Sequence, residues 1–145
     1  MVQADPFNLQ RFVDAQNGAI DRVIAELRAG SKQSHWMWFV FPQIDGLGHS
    51  PTAKFYGIRS LDEARAYLEH PLLGSRLRQC LAALQRWAGR RSAEQILGPV
   101  DAMKLKSSLT LFAAIEPDSV FDNALLNFFG GHRDQHSLAL LQRKR

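Results

Sequence analysis

Apolar residues return at helical spacing along most of this chain, and capping and stop residues divide that spacing into short segments. Leu9, Phe12, Val13, Ile20, Val23, Ile24 and Leu27 form one stripe, preceded by Asp5-Pro6 as N-cap and first-turn proline and followed by Gly30 as a stop. Asn17-Gly18 interrupts the stripe and offers a place to divide it into two helices. Ser50-Pro51 opens a short helix that Gly57 stops, and Ser60-Leu61-Asp62-Glu63 is a capping-box pattern opening a helix over Leu61 to Glu69. Pro71 begins the clearest amphipathic helix, with Leu73, Leu77, Cys80, Leu81, Leu84 and Trp87 on one stripe and Gly89 past its end. Ser92-Ala93-Glu94-Gln95 repeats the box, and Gly98-Pro99 closes that short turn. Asp101 caps a helix carrying Leu105, Leu109, Phe112 and Ala113; Asp118 or Ser119 opens another with Phe121, Leu125, Phe128 and Phe129, ended by Gly130-Gly131. A last helix starts at Asp134 and carries Leu138 and Leu141. No segment sustains an alternation of period two. The pattern predicts an all-α, compact multihelical single domain of about seven to nine helices with short connections. Its core spans residues 5–141, followed by a basic tail over 142–145.

One stretch breaks the helical pattern. Ser34-His35-Trp36-Met37-Trp38-Phe39-Val40-Phe41-Pro42-Gln43 is apolar on nearly every side, so protein, partner or ligand must cover it. Its position marks it as the centre of the molecule. Ser34 can cap a short helix ending before Pro42, and an extended segment fits the same residues; the loop after it runs from Gln43 to Ser50.

Composition narrows the class of protein. With 145 residues, 46% of them hydrophobic and 22% charged, the chain can bury a real core and is not of the disordered type. No apolar stretch approaches bilayer length, Met1-Val2-Gln3-Ala4-Asp5 lacks the regions of a signal peptide, and the lone Cys80 cannot form an internal disulfide. A cytoplasmic location without a membrane partner is expected. The net charge of +4 owes part of its excess to Gln142-Arg143-Lys144-Arg145, expected to fray, while Arg86, Arg90 and Arg91 flank a helix end where cations complement the dipole. The charge therefore argues against a nucleic-acid partner; binding through scattered arginines would need a contiguous basic face.

With these segments in view, Phe12-Val13-Asp14-Ala15-Gln16, the aromatic run through Pro42-Gln43, Tyr67-Leu68-Glu69-His70-Pro71-Leu72-Leu73-Gly74 and Lys104-Leu105-Lys106-Ser107-Ser108-Leu109-Thr110-Leu111-Phe112 resemble the bacterial domain of unknown function 1810 family. The resemblance spans about Phe7 to Leu141 and implies a compact multihelical domain, with no established reaction. Some members carry a calpastatin label, but calpastatin is largely disordered, whereas this composition describes a packed domain.

Candidate chemistry lies at a few polar positions inside apolar surroundings. Trp36 and Trp38 could form a stacking wall for a planar ligand, or pack in the core as large aromatics do. His35 and Gln43, at the polar ends of the run, offer hydrogen-bonding groups beside apolar surface. Gln16 lies on the apolar stripe of the first helix, so its amide bonds either a loop such as Gln43 to Ser50 or a ligand. Arg11 beside that stripe reads as a surface ion pair. Lys104, Ser107 and Ser108 can share a helical face: spacing alone favours a plain polar flank, and among functional readings a grip for a phosphate-like anion ranks above a Ser–Lys nucleophile. His132 and His136 are separated by a helix start and do not make a metal site, so no metal is assigned. Nor does any motif call for a cofactor, and the scattered carboxylates nominate no acid–base pair, so no reaction is assigned. The expected function is a small-molecule pocket for a planar or anionic, nucleotide-like metabolite, with an enzymatic role left open. It would be lined by Gln16, His35, Trp36, Trp38, Gln43, Lys104, Ser107 and Ser108. The rival is an interaction or homo-oligomerising module with an exposed aromatic patch.

Overall fold

The computed structural model describes residues 4–144. The reading of the leader at Met1 to Gln3 and the last residue of the basic tail, Arg145, lie outside them. The described residues form α1 (Gln10–Asn17), α2 (Ile20–Ala29), α3 (Met37–Val40), α4 (Pro51–Tyr56), α5 (Leu61–Glu69), α6 (Leu73–Gln85), α7 (Ala93–Leu97), α8 (Pro99–Ile115), α9 (Val120–Phe129) and α10 (Gln135–Arg143). The domain is all-helical, and the count reaches ten because the short α3 and α7 both close helical turns.

The punctuation residues act locally, though not always at the expected position. Asp5 does not sit directly before the helix. Asn8 takes a left-handed φ of 51°, and the Asp5 carboxylate reaches forward to accept from the N–H groups of Leu9 (2.8 Å) and Gln10 (2.9 Å). Gly30 ends α2 in the left-handed region, and a side chain there would run into the Trp87 ring. His70 rather than Pro71 prepares α6, its Nδ1 accepting from the N–H groups of Leu72 (3.1 Å) and Leu73 (3.2 Å). Ser92 and Gln95 form a reciprocal box, as do Ser119 and Asp122. At α5 only half the box forms, because the Glu63 carboxylate turns away to the Arg59 N–H and to Arg11. Asp101 is not the cap of α8. That helix begins at Pro99, which puts Asp101 inside its first turn.

The centre of the molecule is α8, not the aromatic run. This helix packs against α3, α5, α7, α9 and α10, and its buried residues lie on several sides. A line of rings crosses it: Phe12 on α1 meets Tyr67 on α5 edge-on at 5.1 Å, Tyr67 meets Phe112 at 5.5 Å, and Phe112 meets Phe121 on α9 at 5.6 Å. The aromatic run lies against this core. Trp36, Met37, Val40 and Phe41 are buried, whereas Trp38 and Phe39 are only partly covered. Past Pro42 the chain is extended enough for Ile44 and Ile58 to form an isolated parallel bridge, with Asp45 N–H donating to Ile58 O (2.8 Å) and Ile58 N–H to Gln43 O (2.9 Å). Leu140 of α10 lies beside Gly46, so the 43–50 loop is held between its own bridge and the last helix. The expected fraying of the tail is corrected for Gln142 and Arg143. Both are helical, because the buried Leu141 anchors the end of α10.

Candidate functional site

The one-turn α3, the 43–50 loop, the first half of α8 and the start of α10 border an open groove of about 460 Å³. Trp38 and Gln43 come from the aromatic run, Leu47, His49 and Ala53 from the loop and α4, and Val100, Met103, Lys104 and Ser107 from α8. Asp134 and His136 complete it from the start of α10. Their placement follows from local packing. The Asp134 N–H donates to Thr110 Oγ1 (3.0 Å), which ties the entry of α10 to α8. The carboxylate of Asp134 then caps α10, accepting at Oδ2 from Ser137 N–H (2.9 Å) and Ser137 Oγ (2.6 Å). Ser107, on the groove side of α8, donates its hydroxyl back to Met103 O (3.1 Å).

Lys104 dominates the floor. Its Nζ stands 3.9 Å from the centroid of Trp38 and 3.6 Å from Asp101 Oδ1. The same carboxylate holds Lys32, whose Nζ is 2.8 Å from Oδ2 and 5.1 Å from the Trp36 ring. Two tryptophans of the run are thus each faced by a lysine, and both lysines share Asp101. The indole N–H of Trp36 donates to Glu26 Oε1 (3.0 Å). Burial would raise the Glu26 carboxyl, but hydrogen bonds from Ser34 Oγ, Gln33 N–H, Trp36 Nε1 and Ser34 N–H hold it down at about 2.

The residues singled out from sequence separate into two groups. Trp38, Gln43, Lys104 and Ser107 meet at the groove. Gln16, His35, Trp36 and Ser108 do not line it. The Gln16 amide is buried and donates to Phe39 O (2.6 Å) and Tyr67 Oη (3.2 Å), while its oxygen accepts from Arg76 (3.4 Å). It is tied to α3 and α5 rather than to the 43–50 loop. Trp36 is spent on Glu26 and the core, so His35 beside it is left on the exposed surface. Ser108 faces inward, one residue on from the groove side of α8; it is fully buried and its Oγ has no hydrogen-bond partner among the described residues. A Ser–Lys nucleophile therefore has no support from Ser108. Two other reactive groups are unsuited to chemistry, since burial pushes the Tyr67 phenol and the Cys80 thiol up, the latter to about 12.

Sequence reasoning missed His49, Asp134 and His136 as groove residues, as well as the apolar rim of Val100 and Met103. Asp134 was legible as a cap, but its facing α8 is a tertiary fact. Arg11 was misjudged. It is buried, its Nη2 lies 2.6 Å from Glu63 Oε2, and it also donates to the carbonyls of Phe7, Asn8, Phe55 and Gly57.

A family model described as "Protein of unknown function (DUF1810)" matches residues 6–141. The chain belongs to the DUF1810 family. Among solved structures, this DUF1810 chain is similar to the crystal structure of the conserved hypothetical protein Rv1873 from Mycobacterium tuberculosis. The two are 51% identical with a TM-score of 0.92, over 95% of this chain and 99% of that one. No curated protein matches the chain. Among the described residues, no helix of this DUF1810 protein is long and apolar enough to cross a membrane.

Proposed function

We propose that the groove between the 43–50 loop, α8 and α10 binds a small planar, anionic metabolite of nucleotide-like chemistry. The observation that carries this reading is the meeting of Trp38 and Gln43 with Lys104 and Ser107, which are about sixty residues apart in sequence, in one open groove. Aromatic surface, a cation and hydroxyl and amide groups on one concave wall are the ordinary composition of a small-molecule site. The volume of about 460 Å³ is within the range of such sites. His49 and His136 add further donors at the edge. No reaction is proposed, because the groove offers Asp134 alone as a carboxylate and that group already caps α10.

A panel of nucleotides, sugar phosphates and cofactors, read by thermal shift, tests the proposal. At about one hundred times its dissociation constant a ligand adds roughly 2.7 kcal/mol of stability, which such a panel resolves. Substituting Gln43→Ala should remove most of any shift, whereas Gln79→Ala on exposed α6 surface should not. Equal responses in both variants would place the ligand elsewhere. A second reading, association with a partner or another copy, is favoured by the rim, where Val100 and Met103 are 67% and 68% exposed. Solution mass tests that reading directly: a dimer lost on Met103→Lys supports it.

A further inference from the structure

Resting on the groove reading above, we infer that Lys104 makes the groove selective for ligands that carry a ring and an anion in one molecule. Its ammonium covers one face of the Trp38 ring, and both residues line the groove. With Nζ 3.9 Å from the Trp38 centroid, nothing can stack on that face until Lys104 leaves it. Leaving forfeits the attraction between ammonium and indole. An anion on the ligand restores that loss by meeting the displaced ammonium. A neutral ring has no such return, and a bare anion leaves the uncovered indole in water.

Lys104 is the movable partner for reasons visible in its surroundings. Asp101 holds Lys32 at 2.8 Å with only 7% of the lysine side chain exposed, but holds Lys104 at 3.6 Å with 21% exposed. When Lys104 swings away, Asp101 keeps Lys32, so no partly buried carboxylate is stranded. Trp38 and Lys104 line the groove, whereas Trp36 and Lys32, the same pairing repeated, do not. The second pair is thus a closed structural copy of the first. Asp134, the carboxylate on the groove wall, has one oxygen committed to Ser137, and His49 and His136 line the same groove.

Adenosine, AMP and pyrophosphate supply the ring, the ring with anion, and the anion alone. Calorimetry with the full chain and with Lys104→Met, which keeps an unbranched apolar stem but removes the ammonium, compares them. Wild type should prefer AMP to adenosine and to pyrophosphate by about tenfold or more, and Lys104→Met should weaken AMP while tightening adenosine by about threefold. Acrylamide quenching of tryptophan fluorescence reads the cover without any ligand. Lys104→Ala, which removes the covering side chain, should become more quenchable, and Trp38→Phe in that variant should abolish the gain. If AMP binds wild type and Lys104→Met weakens both AMP and adenosine alike, the selectivity role is overturned while the groove reading stands. If neither AMP nor adenosine binds wild type, the groove reading falls and takes this inference with it. Quenching unchanged by Lys104→Ala overturns the cover regardless of ligand.

Discussion

Glu26 shows at the scale of one residue how a charge buried beside a tryptophan is made tolerable. Its carboxylate accepts from Gln33 N–H (2.7 Å), Ser34 N–H (3.1 Å), Ser34 Oγ (2.6 Å) and Trp36 Nε1 (3.0 Å), which closes the turn between α2 and the aromatic run. Because the folded carboxyl titrates at about 2 rather than 4.5, the unfolded chain binds its proton first as pH falls. The stabilisation is therefore complete above pH 4.5 and is lost as pH falls through about 2. Glu26→Gln should cost about 1–3 kcal/mol at neutral pH, since hydrogen bonds to a charged acceptor are the stronger kind. Urea unfolding of both proteins from pH 7 to 2 should show the difference shrinking toward acid; a constant gap would mean that charge is not what the pocket stabilises. Nothing local in the sequence marks Glu26 for this role, because it reads as an ordinary polar position on an amphipathic helix. Trp36, by contrast, was legible as a residue needing cover, and only its choice between core and ligand was open.

At the scale of elements, Arg11 and Glu63 fasten α1 to the start of α5 and to the end of α4. Five donated hydrogen bonds, to Glu63 and four carbonyls, take up the guanidinium, and the pair is almost wholly removed from water. Arg11→Met should cost about 3–5 kcal/mol, because it strands a buried carboxylate and frees four carbonyls. Adding Glu63→Leu should recover part of that loss, giving a coupling of about 0.5–3 kcal/mol in a double-mutant cycle read by denaturant unfolding. The double variant stays below wild type, since the carbonyls still lack their donor. Additive losses would show that the two side chains act separately. Sequence spacing cannot reveal this clamp, for the partners are fifty-two positions apart. The same holds for the approach of α5 and α6, where Gly74 lies so close to Leu68 O that a side chain has no room. Helix caps are different. Ser60, Ser92, Ser119 and Asp134 each bond a backbone N–H two or three residues on, so their signal lies entirely within a short window of sequence.

For the whole molecule, one core joins nearly every helix, with α8 as its axis. Trp36 reports on the α2–α3 side, Trp38 on the groove and Trp87 on the α2–α6 contact, where its Nε1 donates to Leu27 O (2.9 Å). Unfolding should therefore be a single transition in which tryptophan fluorescence and far-ultraviolet circular dichroism coincide. A fluorescence change that precedes loss of helix would mean that the aromatic run forms a separate, weaker unit.

Most of the helical segmentation, the caps at Ser60, Ser92, Ser119 and Asp134, the all-α class and the family were settled by order along the chain, because each depends on residues within a few positions or on a contiguous motif. The tertiary structure alone decided which faces of α8 are covered, that Trp38 and Lys104 meet while Trp36 and Ser108 turn inward, and that the start of α10 supplies a wall. A single helix presents neighbouring positions to different directions, about 100° apart per residue. Whether a given side chain then reaches core, groove or solvent is determined by the elements packed on each side of it, and those come from remote parts of the chain.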